Sequence, residues 1–69
     1  MSFRRFLLRC KPNLRQLHRE FRRVGVKCPT DFLRMARLED QYREGLLRAS
    51  MRLSELEIAE VKMVMDQIK

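Results

Sequence analysis

From Phe3 to Val24 the apolar residues Phe3, Leu7, Cys10, Leu14, Leu17, Phe21 and Val24 alternate spacings of four and three. That is one stripe of an α-helix, kept in register over seven positions. Pro12 interrupts it, and a proline inside a helix removes a hydrogen bond and clashes with the preceding turn. The preserved register predicts one helix over about 3–24 kinked near Pro12, or two nearly coaxial helices with Pro12 in the first turn of the second. Gly25 follows where a helix C-cap glycine belongs.

Pro29, Thr30 and Asp31 supply a first-turn proline and cap oxygens, a helix-start signal. The spacing predicts a second helix over about 30–51, with Phe32, Met35, Leu38, Tyr42, Leu46 and Ala49 on its stripe and Leu53 beyond it. Gly45 lies on that face and permits close backbone approach. The third start is sharper. Ser54 and Glu57 have the spacing of a capping box, and Leu53 with Ile58 that of its hydrophobic staple. The helix they open, over about 55–68, carries Ile58, Val61, Met65 and Ile68, with Leu56, Met63 and Val64 widening the stripe.

The pattern predicts one all-α domain over 1–69: a kinked basic N-terminal helix plus an antiparallel helical hairpin, in a three-helix arrangement. Its core or protein-interface positions are Phe3, Leu7, Leu14, Leu17, Phe21, Phe32, Tyr42, Ile58 and Met65. A chain of this length buries only ~60% of its unfolded surface. Stripes this wide therefore predict a core completed against a larger protein assembly.

Charge changes the picture most. The net charge is +7, and it is uneven: residues 1–34 hold ten bases and two acids, residues 35–69 six bases and seven acids. Arginine supplies 12 of the 16 positive side chains, and its planar fork grips phosphate or carboxylate with two parallel bonds. On a helical wheel Arg4, Lys11, Arg15 and Arg22 form one flank and Arg5, Arg9, Arg19 and Arg23 the next. These eight are the candidate anion-binding residues. His18 shares their flank and reads as a solvated histidine. Their partner is anionic: the backbone of ribosomal RNA, or an acidic protein surface. Phe3, Phe6 and Leu7 beside the arginines also suit peripheral membrane contact. With one Tyr and no Trp, aromatic stacking platforms for bases are missing, so RNA contact is expected to phosphates.

Little else carries chemistry. Cys10, Cys28 and His18 are too few for a structural zinc site, and the two thiols read as free. No apolar run approaches the ~20 residues of a membrane span. There is no Gly-rich phosphate loop and no nucleophile motif, and the carboxylates form i,i+4 pairs with Arg43 and Arg48. The expectation is a non-catalytic protein without cofactor, metal or small-molecule substrate.

The opening segment is Arg-rich, amphipathic and without an acid before Glu20, the pattern of mitochondrial import sequences. It is expected to be retained as structure, in the matrix or on the matrix side of the inner membrane. Ser2-Phe3-Arg4-Arg5-Phe6-Leu7 resembles the Leu-Tyr-Arg signature that opens the LYR-motif family, with Ser2 in place of Leu and Phe3 in place of Tyr. Glu20-Phe21-Arg22-Arg23 is similar to the Phe-Arg element that follows in many members, including the succinate dehydrogenase assembly factor branch. The resemblance covers residues 2–24. It implies a small, basic, three-helix mitochondrial accessory or assembly protein, respiratory-chain related. A mitochondrial ribosomal protein contacting rRNA through the basic first helix is the alternative.

Overall fold

In a computed structural model of the chain, residues 2–68 are described. All regular structure among them is helical: α1 (Phe3–Arg9), α2 (His18–Arg23), α3 (Pro29–Ala36), α4 (Asp40–Gly45) and α5 (Glu55–Ile68). A 3₁₀ turn (Arg15–Leu17) leads into α2, and a π-helical turn (Leu46–Ser50) extends α4. The all-α class is as expected, but five helices stand where three were expected.

The first expected helix is neither kinked nor coaxial. It is two helices folded against each other. Helix α1 begins at Ser2, whose Oγ accepts the Arg5 N–H at 3.2 Å, and stops at Arg9. Beyond it Pro12 has no N–H to continue the ladder. The Leu14 N–H turns back to the Leu7 carbonyl at 3.0 Å, and the Asn13 side chain accepts the Arg15 N–H at 2.8 Å to start the next turn. The rings of Phe3 and Phe21 lie 5.9 Å apart, whereas a continuous helix at 1.5 Å per residue would separate them by about 27 Å.

The second expected helix also divides. Cys28 stands at the N-cap position of α3 without a side-chain capping bond, and Pro29 occupies the first turn. Asp31 reaches back to the Lys27 N–H at 3.1 Å. The helix ends at Ala36, and Glu39, in extended conformation, starts α4. The buried Arg43 closes the gap: its Nη1 donates to the Ala36 carbonyl at 2.9 Å and its Nη2 to Asp40 Oδ1 at 3.0 Å. A straight 22-residue helix would be about 33 Å long, longer than the body itself, which measures 29 × 22 × 21 Å. Breaking it lets both halves cover one core. The break resets the rotation, so Arg43, Leu47 and Met51 face inward, while Leu38 and Tyr42 are exposed. Tyr42, expected in the core or an interface, is 59% exposed.

Helix α5 starts on a formed capping box. The Ser54 Oγ accepts the Glu57 N–H at 3.2 Å, and Glu57 Oε1 accepts the Ser54 N–H at 2.9 Å. Leu53 and Ile58 are both buried beside it. Ser54→Ala removes one of the two bonds and is expected to lower stability by ~1 kcal/mol. Faster amide exchange over residues 55–59 is the readout, and unchanged exchange there would show that the cap does not hold the helix end.

The core of 16 buried apolar residues draws on every helix except α4, whose π-helical extension supplies Leu47. Phe3, Leu7, Leu14, Leu17, Phe21, Phe32, Ile58 and Met65 all belong to it. The radius of gyration, 10.6 Å, is close to the ~11 Å of a self-contained chain of this length. Folding α1 onto α2 and breaking 30–51 brings the apolar stripes together in one core. Among the described residues, the large apolar side chains that stay exposed are Leu8, Leu38, Tyr42, Leu56 and Met63.

Candidate functional site

Charge separates along the fold as it does along the chain. In the second half, Glu44 pairs with Arg48 at 2.7 Å and with Lys62, Lys62 also reaches Asp40 at 3.6 Å, and Arg48 pairs with Glu55. These pairs tie α4 and its π-turn to α5 and neutralise acid with base locally. Residues 1–34 cannot do this, because two carboxylates face ten bases.

The reversal at Pro12 decides where those bases go. Phe3 and Leu7 of α1 and Leu14, Leu17 and Phe21 of the following segment turn inward together. Side chains beside those inward faces then border two adjoining hollows that form a shallow trough. A hollow of about 720 Å³ is lined by Arg4 from α1, by Arg15, Gln16, His18 and Arg19, and by Asn13 and Glu20. A second hollow, about 480 Å³, shares Arg4 and His18 and adds Ser2, Phe3, Arg22, Lys27 and Cys28.

His18 stands where the two hollows meet, its ring 5.7 Å from that of Phe3. Partial desolvation, followed by the Arg4 and Arg22 charges, holds its pKa below the ordinary 6.5. Glu20 is half-buried, and its Oε2 is enclosed without a hydrogen-bond partner among the described residues.

Four of the eight expected anion-binding residues line the trough: Arg4, Arg15, Arg19 and Arg22. Arg5 is exposed and lines neither hollow. Arg9 and Lys11 flank a different cleft, about 260 Å³, whose walls are Phe6, Cys10, Val64 and Ile68. Arg23 is used structurally: its Nη2 donates to the Ser50 and Met51 carbonyls at 3.3 and 3.5 Å, closing the end of the π-turn. Lys27, Asn13 and Gln16 were not expected at the site. They sit in loops and turns, where a helical wheel carries no information, and only their type as phosphate or carboxylate donors pointed to them.

Of the two thiols, Cys28 borders the smaller hollow and Cys10 lies away from both. Cys10 donates to the Phe6 carbonyl at 3.3 Å, and burial pushes its pKa up. Both cysteines are free. Among the described residues no three His, Cys, Asp or Glu side chains are placed to hold a metal ion, and no helix is long and apolar enough to cross a membrane.

Titration should register both halves. Hydrogen bonds and nearby cations hold Asp31, Asp40, Glu44 and Glu55 below the ordinary 3.8 and 4.5. The folded state therefore binds fewer protons than the unfolded one, and stability is lost as pH falls through those values. The lowered His18 has the same sign at a higher pH, its loss beginning as pH falls through 6.5. Thermal unfolding is expected to show two successive drops in midpoint on acidification. His18→Gln should remove only the first, and a first drop that survives it would reject the assignment.

Compared with protein-family models, with curated proteins and with solved structures, the chain matches none.

Proposed function

We propose that this chain is a non-catalytic accessory subunit or assembly factor of a larger mitochondrial complex, which it grips by its basic trough. One observation carries the reading: the fold-back of α1 on α2 gathers Arg4, Arg15, Arg19, Arg22 and Lys27 around His18. A cationic surface of this density exceeds what solubility requires and attracts an anionic partner. The Arg-rich opening supports a mitochondrial setting. The resemblance to the LYR-motif signature supports a respiratory-chain complex. In that element Phe3 and Leu7 are buried while Arg4 and Arg5 face solvent.

A second reading, a mitochondrial ribosomal protein, is favoured by the trough's lining. The larger hollow is bordered by charged and amide side chains with no apolar residue among them, the kind of surface that meets a nucleic-acid backbone.

Sedimentation of a gently lysed mitochondrial extract, with and without RNase, tests both. Co-migration with a membrane complex, indifferent to RNase, supports the respiratory reading and rejects the ribosomal one. Co-migration with ribosomal particles that collapses after RNase does the reverse. A chain that sediments alone in both conditions overturns the subunit reading itself.

A further inference from the structure

The two hollows adjoin at Arg4 and His18, which line both, with Arg15 and Arg19 bordering one and Arg22 and Lys27 the other. Guanidinium and ammonium groups and side-chain amides dominate their polar lining, with Glu20 the one carboxylate. A phosphodiester offers acceptor oxygens and a negative charge that recurs at every link, which matches donors spread along an open trough. A folded protein partner draws most of its affinity from apolar and aromatic anchors, and a lipid surface from an apolar helix face. The larger hollow has neither, and Phe3 in the smaller one is buried.

We propose that this trough binds the phosphodiester backbone of a nucleic acid and takes up a proton at His18 as it does so. The proposal rests on the second reading above, the ribosomal one, and names the chemistry its partner presents to the trough. The groups around His18 are Arg15 in the turn before it, Arg19, Glu20 and Arg22 on its own helix, Arg4 with the Phe3 ring from α1, and Lys27 with Cys28 before α3. Asp31 is engaged with the Lys27 N–H. In the free protein this cationic surround disfavours an imidazolium. A phosphate seated among the same side chains reverses the local field, so the imidazolium becomes a further ligand cation. Binding and protonation then strengthen each other by the same factor.

The test uses the full chain and a fluorescein-labelled oligouridylate, with fluorescence anisotropy across salt and pH. Five phosphate contacts predict a log–log salt slope of about −3.5. Affinity is expected to tighten as pH falls, by at most about tenfold per pH unit for one proton. His18→Gln should keep binding at pH values where His18 is neutral and lose the pH dependence; pH dependence that persists overturns the proton uptake. Arg4→Glu or Arg22→Glu should weaken binding more than about tenfold, the scale of one lost charge-assisted contact. Arg5→Glu carries the same charge change outside the trough and should weaken it far less. Equal losses for Arg4→Glu and Arg5→Glu would overturn the site. Two further probes separate this inference from the reading beneath it. If a polyglutamate peptide or an anionic vesicle binds through the trough arginines and the oligouridylate does not, the phosphodiester assignment fails, while RNase-sensitive sedimentation with ribosomal particles would still uphold the ribosomal reading. If none of the three binds, the basic trough fails as a binding site in both readings.

Discussion

Phe32→Ala is expected to cost about 3–5 kcal/mol, enough to unfold much of the population at ambient temperature. Phe32 is fully buried, and its ring lies 5.3 Å from that of Phe6, 5.4 Å from Phe21 and 6.3 Å from Phe3. Two of these contacts are edge-on, the geometry that adds to simple burial. The side chain thus joins α1, α2 and α3 at one point. A chain of this length has roughly 3–10 kcal/mol of total stability, so the substitution removes a large share. Urea unfolding followed by circular dichroism is the measurement. Phe32→Leu, which keeps most of the volume, should fall between the two. A Phe32→Ala midpoint close to that of the parent would mean that the aromatic cluster does not hold the three helices together.

Arg43→Ala is expected to cost about 2–3 kcal/mol, since it removes a charged donor from a buried carbonyl. Arg43 is 6% exposed, and its bond to the Ala36 carbonyl satisfies the end of α3 where the chain turns into α4. Arg43→Met retains the apolar stem and should recover part of the packing but not the cap. Asp40→Asn disturbs the exposed end of the same network and should matter much less. Equal effects of Arg43→Ala and Asp40→Asn on the urea midpoint would show that the surface ion pair, rather than the buried cap, is the stabilising contact.

Arg43 also shows why the stripe over 30–51 could be read only in part. The expected face, Phe32, Met35, Leu38, Tyr42, Leu46 and Ala49, assumes one rotation of 100° per residue throughout. The gap at 37–39 breaks that assumption, and the π-turn, in which the Met51 N–H reaches the Leu46 carbonyl at 2.8 Å, breaks it again. Past the gap the buried positions are therefore Arg43, Leu47 and Met51. Arginine at an inward position is invisible to hydrophobic periodicity, because its burial depends on a carbonyl that another helix end presents.

The first stripe misleads differently. Phe3, Leu7, Leu14, Leu17 and Phe21 are all inward-facing, yet the helix that the stripe implied does not exist. Periodicity reports which side of a short segment is apolar, and a chain that reverses after one helix buries the same residues as one that continues. The distinction decides the candidate site. On a straight helix Arg4 and Arg22 would lie about 27 Å apart; on the folded-back pair both border hollows that meet at His18.

What the sequence alone determined are the features set by near neighbours: the helical class, the capping box at Ser54 and Glu57, most of the core residues and the cationic first half. Each depends on spacing within a few residues or on a count of side chains. Only the tertiary structure decided how many helices there are, which arginines face one another, and that Arg23 and Arg43 are spent on closing helix ends. Those outcomes depend on where distant segments meet, and a core shared by four of the helices and the π-turn is what holds them there.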